Sequence, residues 1–171
     1  MKKMLALGLV LILTLFASCR SGETANVPAK ELFDKAVTLL SLPDKNVDIY
    51  YSGAAEEYML FNDDTIPGKF GDITDYPLPD TFEDYAAYYS KNNYGTEFGI
   101  FKMKTKEQAE NMKLYIDSRM DQKLKNAENY PGTDTTLIEN YTVTVDGVWI
   151  YYAATNNNEG FNKLIKNRLH P

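Results

Sequence analysis

The chain has 171 residues, with 24 Asp or Glu, 18 Lys or Arg and one His, and its formal net charge is −6. A single Cys excludes a disulfide within the chain and a structural zinc site built from several thiolates. A pI of 4.8 argues against an electrostatic nucleic-acid binder, so we expect no nucleic-acid partner. The length suits one domain with a modest core.

The first eighteen residues have the pattern of a secretory signal peptide, which we assign to 1–18. Lys2 and Lys3 supply positive charge, and an apolar run of thirteen residues follows over Met4–Phe16. That run is too short to span a bilayer, which needs about 20 residues, but it is typical of a signal-peptide core. Two small residues, Ala17 and Ser18, then precede the only thiol.

The end of this leader resembles a bacterial lipobox, in which Cys19 receives a diacylglyceryl thioether and becomes the new N-terminus. The alternative is an incidental or buried Cys in an ordinary signal peptide. Acyl chains such as palmitate contribute about 0.8 kcal/mol per buried CH₂, and two of them anchor a protein stably. We therefore expect a lipidated Cys and polar tether over 19–27, on the extracytoplasmic face of a bacterial cell membrane. Loss of Lys2 and Lys3 would change the net charge from −6 to −8.

The folded region is expected to begin with a helix and an acidic segment. Pro28 suits a first helical position, Pro43 ends the segment, and apolar residues recur at helical spacing between them. Residues 44–84 then contain eleven acidic and two basic side chains. A short helix near 54–61 is compatible with the pattern. Within the segment, 62–80 reads as a long acidic loop, a length that is uncommon unless functional or disordered.

Two strands and a long helix are predicted next. The Tyr-rich run 84–90 and the apolar run Glu97–Met103 read as strands, separated by a turn-rich stretch. Thr105 and Gln108 form a capping box that starts a helix with a regular apolar stripe. The sequence Tyr-Pro-Gly at 130–132 ends this helix.

A hairpin and a final helix complete the chain. Asp146-Gly147 is a strong two-residue turn signal within 141–153, and it pairs Val145 with Val148. A last helix is predicted over 159–169. We therefore expect a single globular α+β domain at 28–171. Its antiparallel sheet would have about four strands in two hairpins, with the long helix between them, the N-terminal helix packed on the sheet and helices mainly on one face.

Three runs, at 80–90, 96–123 and 137–156, resemble the small bacterial lipoproteins of the domain of unknown function family 4358. Members of that family show a lipobox, an N-terminal helix, an acidic segment leading to a Tyr-rich strand, and a Glu before an apolar strand, here Glu97. The resemblance covers 80–171 well and 28–60 loosely, and 62–80 is an extension of the pattern. It supports a lipid anchor and a compact domain, and it transfers no catalytic residue.

The residues define no catalytic centre. His170 is the only imidazole and lies beside the C-terminus, so a Ser–His–Asp or Cys–His arrangement cannot be assembled. Paired carboxylates such as Glu83, Asp84 and Glu97 leave glycoside cleavage open. An EF-hand pattern starting at Asp44 fails at its Gly and Glu positions, although acids in the 62–80 loop leave a hard cation open. We predict no metal site and no cofactor.

Aromatic side chains give the more specific functional hypothesis. Tyr doublets lie on strand-like segments, and neighbours on a strand point to opposite faces. Trp149, Tyr151 and Tyr88 are therefore candidates for an exposed binding surface, unless a helix or the 62–80 loop covers them. We expect a lipid-anchored, non-catalytic module that binds a protein, peptide or glycan through an aromatic and acidic surface. The alternatives are a small carboxylate-dependent enzyme acting on cell-envelope polysaccharide, and a structural envelope component.

Overall fold

The computed structural model describes residues 24–71 and 77–171. The predicted signal peptide, Cys19 and the start of the predicted tether lie outside the described residues, as does part of the predicted acidic loop. The strands are β1 (Val47–Tyr51), β2 (Phe82–Ser90), β3 (Glu97–Met103), β4 (Thr142–Asp146) and β5 (Trp149–Ala154). The helices are α1 (Ala29–Leu40), α2 (Pro67–Phe70), α3 (Lys106–Ala127), α4 (Thr136–Glu139) and α5 (Asn158–Leu169), with short 3-10 helices at Glu57–Met59 and Pro79–Thr81.

The predicted α+β architecture is confirmed, with an antiparallel sheet in the order β1-β2-β3-β5-β4. The long helix α3 connects the two predicted hairpins, and α1 packs on the sheet. The fifth strand, β1, was not among the expected four. It is only five residues long and lies inside the acid-rich segment, so its apolar pattern is brief.

Helices cover both faces of the sheet, so the expectation that they lie mainly on one face is wrong. One face packs against α1 and α5, and the other against α3 and a covering segment at 57–71. The central strands explain this arrangement. Every residue of β5 is buried, β3 is buried at all but one position, and β2 is buried at Phe82 and from Tyr85 to Tyr89. Strands with apolar residues on both sides are stable only when both faces are covered.

The candidate binding surface at Trp149, Tyr151 and Tyr88 is contradicted, because these side chains are 0%, 1% and 2% exposed. They belong to the core beneath α1 and α5, where the ring of Tyr151 lies 6.3 Å from that of Phe161. The alternation of Tyr doublets between faces is nevertheless correct, since Tyr152 packs on the α3 side. Both rings of the doublet are buried because both faces are covered.

The β4–β5 hairpin forms with a different register from the predicted one. Val145 pairs with Ile150 rather than Val148, so the turn consists of Gly147 and Val148. Gly147 has φ +63°, the backbone that favours Gly at the first central position of a type II′ turn. The change is a shift by two residues, and an even shift keeps each side chain on its own face.

Much of the region expected to be an irregular loop is packed on the sheet. In the covering segment, Phe61, Ile66 and Phe70 are buried. The ring of Phe61 stacks 4.8 Å from the ring of Tyr85, whose hydroxyl accepts a 2.9 Å hydrogen bond from the Phe61 backbone N–H. The aromatic residues of this stretch therefore act as core, which its acidic composition concealed.

The long helix agrees closely with its prediction. Thr105 and Gln108 form both hydrogen bonds of the capping box, which satisfies donors at the start of α3. The buried face comprises Ala109, Met112, Ile116 and Met120, which are four of the six residues of the predicted stripe. The other two, Leu124 and Ala127, are half-buried. Packing of this face, rather than the helix alone, should hold α3 on the sheet.

We predict that Ile116→Ala destabilises the fold by about 2–5 kcal/mol, because it removes a fully buried side chain and leaves a cavity beneath α3. The matched control is Leu114→Ala on the same helix. Leu114 is 65% exposed, so its loss should change the free energy of unfolding by less than about 0.5 kcal/mol. Urea denaturation of both variants measures the difference, and equal losses would contradict the packing described for α3.

Candidate functional site

The three carboxylates considered for catalysis lie in separate structural environments. Glu83 pairs with Lys102 at 2.6 Å on the surface. Asp84 accepts a 2.7 Å hydrogen bond from the backbone N–H of Ala29 and a short one from the Ser52 hydroxyl, so it ties the start of α1 to β2. Glu97 stands apart from both, because its side chain is buried on the α3 side of the sheet.

The buried carboxylate of Glu97 forms an ion cluster with Arg119 and Lys123, here called the Glu97 cluster. The Arg119 guanidinium binds it with both ends, Nε to Oε1 at 2.9 Å and Nη2 to Oε2 at 3.0 Å. The Lys123 ammonium makes a short contact with Oε2, and the Tyr152 hydroxyl lies 3.4 Å from Oε1. Both cations come from successive turns of α3, so the cluster fixes that helix against the end of β3.

Electrostatics keep the buried carboxylate ionised. Burial alone would raise the pKa of Glu97, but the charges and hydrogen bonds of Arg119 and Lys123 together hold it below its usual value of 4.5. Burial lowers the pKa of Lys123, and the Glu97 charge opposes that change. Burial also raises the pKa of Tyr152, so its hydroxyl remains neutral beside the cluster.

A second pair extends the cluster towards β1. Arg119 donates from Nη1 to the backbone oxygen of Lys69 at 2.6 Å, which attaches the covering segment to α3. The Lys69 ammonium in turn binds the Asp48 carboxylate at 3.0 Å and lies 4.7 Å from the Tyr89 ring centre. Lys91 approaches the same carboxylate only to 3.8 Å, and its side chain is 61% exposed.

These groups surround a cleft of about 460 Å³, here called the cationic cleft. Its charged lining consists of Lys69, Lys91, Arg119 and Lys123 with the single carboxylate of Asp48. Together with Glu97 beneath its floor, the cleft has a formal charge of +2. Such a site contrasts with the acidic chain around it and favours an anionic ligand.

Neutral polar groups complete the wall of the cationic cleft. Amide side chains of Asn93, Gln122 and Asn126 line it, together with Ser90 and Tyr94. Amides and hydroxyls both donate and accept hydrogen bonds, so they suit ligand hydroxyl groups as well as charged oxygens. The cleft therefore combines charge for affinity with amides for orientation.

The sequence did not identify this site. Trp149, Tyr151 and Tyr88 lie in the core on the other face of the sheet, and His170 pairs with Asp146 at 2.6 Å outside the cleft. Of the residues singled out, only Glu97 contributes to the cluster. The available signal for the site was a pair of cations on α3. Arg119 and Lys123 lie four residues apart, next to the apolar stripe of this helix.

Neither a metal site nor a membrane span is found in the described parts of the chain. Over 24–71 and 77–171, no three His, Cys, Asp or Glu side chains converge as ligands for a metal ion. Within those same ranges, no helix combines the length and apolar character needed to cross a bilayer.

We predict that Glu97→Gln lowers the free energy of unfolding by about 3 kcal/mol, because it leaves Arg119 and Lys123 without their buried counter-charge. The control is Glu83→Gln, which breaks the exposed pair with Lys102 and should cost less than about 1 kcal/mol. Urea unfolding at neutral pH compares the two variants.

The pH dependence of the same effect follows from the lowered pKa of Glu97. A carboxylate whose pKa is lower in the folded state stabilises the fold above its unfolded pKa, and this contribution disappears as the pH falls through the folded value. The stability difference between wild type and Glu97→Gln should therefore be full at neutral pH and shrink at acidic pH. A constant difference down to the acid transition would show that ionised Glu97 is not the cause.

Comparison with known proteins identifies the central part of the chain. Residues 78–155 match the model of the family described as Domain of unknown function (DUF4358). This range runs from the approach to β2 through β5 and includes the whole Glu97 cluster. No curated protein and no solved structure matches the chain. Residues 78–155, a little under half of the chain, are therefore similar to the DUF4358 domain.

Proposed function

We propose that this protein is a lipid-anchored, extracytoplasmic, non-catalytic module that binds an anionic ligand in the cationic cleft. The observation that carries the binding role is a cleft with charge +2, in which the buried carboxylate of Glu97 positions two of the four cations and Asp48 contacts the other two. A buried ion cluster is costly to assemble for stability alone. The lipobox-like sequence ending at Cys19 supports the anchor.

The position of the cleft relative to the N-terminal segment supports this proposal. Ala25 donates a hydrogen bond to Leu169 at 2.8 Å, so the chain joins the α5 side of the sheet before the predicted domain start at Pro28. Asn26 lies 3.4 Å from Lys102, near the C-terminal end of β3. Glu97 lies at the other end of β3, about 17 Å away, and faces α3. An anchor at Cys19 would thus leave the cleft turned away from the bilayer.

The carboxylate-dependent enzyme is less well supported than a binding module. Glycoside cleavage requires one protonated and one ionised carboxyl group across the substrate. Glu97 is held ionised by two cations, which prevents it from acting as the acid. Asp48, the carboxylate that lines the cleft, is engaged by Lys69 at 3.0 Å. A purely structural envelope component would not need the cleft.

The anchor is tested by replacing the thiol. We expect Cys19→Ala, expressed in a bacterium, to lose the diacylglyceryl modification and the membrane association of the wild type, because the acidic chain has little attraction for an anionic bilayer. Mass spectrometry of the mature N-terminus and membrane fractionation provide the measurements. The control is Ser18→Ala, which keeps a small residue before the thiol and should remain lipidated. An unmodified Cys19 in the wild type would reject the anchor.

The binding role is tested by native mass spectrometry of the protein purified from its membrane. We expect a co-purified adduct on the wild type that is reduced in Lys91→Gln, because Lys91 is exposed in the cleft and is not needed for the Glu97 cluster. Lys166→Gln makes the same charge change on α5, on the other face of the sheet, and should retain the adduct. Equal adducts on both variants, or none on the wild type, would contradict binding in the cleft.

A further inference from the structure

We propose that the ligand of the cationic cleft is a phosphate ester of a small polyol, with the phosphate held by the lysine ammonium groups and the hydroxyls by the amide wall. This inference rests on the proposed function and specifies its ligand. Three properties of the cleft support it: the amount of charge, the type of cation that is free to bind, and the polar wall beside the cations.

The amount of charge matches a dianion. The four basic side chains and the two carboxylates of Asp48 and Glu97 leave a formal charge of +2. A phosphate ester has a charge of about −1.5 to −2 near neutral pH, so it would neutralise the site. A single carboxylate would leave about half of that charge without a counter-ion.

The type of available cation favours phosphate over carboxylate. Guanidinium groups recognise carboxylates with two parallel hydrogen bonds, but the fork of Arg119 is already used by Glu97. A third Arg119 nitrogen donates to the Lys69 backbone. Each ammonium group of Lys69, Lys91 and Lys123 has three donors, so it keeps donors for a ligand beyond its contact with Asp48 or Glu97. Ammonium groups bind phosphate as point charges without a planar fork.

The ammonium groups lie on different elements and surround the cleft. Lys69 is in α2, Lys91 follows β2, and Lys123 is in α3, so the positive charges come from separate walls. Lys69 and Lys91 share the one carboxylate of Asp48, at 3.0 and 3.8 Å. Lys91 has a longer contact with Asp48 and a more exposed side chain than Lys69. It can therefore turn towards a ligand with a smaller loss of ion-pair energy. A tetrahedral phosphate can accept hydrogen bonds from several directions, as this arrangement requires.

The polar wall accounts for the rest of the ligand. Asn93, Gln122 and Asn126 present amides along the cleft, and Gln122 and Asn126 lie on the same helix as the cations Arg119 and Lys123. A bare phosphate ion would leave these amides and most of the 460 Å³ to water. A polyol would fill more of this volume, and its hydroxyl groups would form hydrogen bonds with the amides.

The test uses isothermal titration calorimetry of the purified mature protein with glycerol 3-phosphate, glycerate, glycerol and inorganic phosphate. We expect glycerol 3-phosphate to bind most tightly, inorganic phosphate more weakly, and glycerate more weakly still. Lys91→Gln should weaken glycerol 3-phosphate binding about five- to tenfold, the scale of one net hydrogen bond at a solvent-exposed side chain. Lys166→Gln should bind as the wild type does, and added salt should weaken binding to the wild type.

Each contrary outcome overturns a defined part of the inference. Glycerate binding as tight as glycerol 3-phosphate would overturn the preference for phosphate, and inorganic phosphate binding equally well would overturn the role of the polyol. An unchanged affinity in Lys91→Gln, with an unfolding midpoint equal to that of the wild type, would place the ligand elsewhere. If the purified protein has a cleft-dependent adduct but does not bind glycerol 3-phosphate, the phosphate assignment fails and the binding module remains. If both are absent, the proposed function fails as well.

Discussion

Burial of the Glu97 carboxylate is the constraint on which the α3 side of the structure depends. A charge removed from water must be paired, and here the pairing comes from a helix rather than from the sheet that contains the carboxylate. Arg119 satisfies both carboxylate oxygens and also the backbone oxygen of Lys69, so one side chain joins β3, α3 and the covering segment. The apolar stripe around Ile116 supplies packing energy, and the ion cluster selects the position of the helix along the strand.

The same cluster explains how an acidic protein maintains a cationic cleft. Side chains of like charge repel one another when they converge, and burial raises that cost. Glu97 offsets the repulsion between Arg119 and Lys123 from below, and Asp48 does so for Lys69 and Lys91 from the side. Two carboxylates thus partly neutralise four cations, and a formal charge of +2 remains at the cleft.

Local patterns predicted most of the fold, whereas long-range contacts determined the site. Capping and periodicity located α3 because both depend on residues three or four positions apart. The β4–β5 hairpin was predicted correctly, but its register was not. Asp146-Gly147 and Gly147-Val148 are both plausible turns, and the choice between them depends on which residues of the two strands pack best opposite each other. Trp149 was expected to be exposed, but the packing of α1 and α5 on its face of the sheet buries it, and no local pattern specifies that packing. The cleft unites residues from Asp48 to Asn126, and no motif spans that distance.

The two ends of β3 give the domain a direction. Near the C-terminal end of β3, Lys102 lies beside Asn26 in the N-terminal segment. At the N-terminal end of β3, Glu97 lies beneath the cationic cleft. Because β3 lies in the centre of the sheet, the proposed tether, attached near one end of this strand, would orient the other end away from the bilayer. Under the proposed lipid anchor, an anionic bilayer would repel an anionic ligand, but salt screens this repulsion beyond about 8 Å at physiological ionic strength. The Glu97 end of β3 lies about 17 Å from Lys102 and the N-terminal segment, so the cationic cleft would attract an anion outside the range of that repulsion.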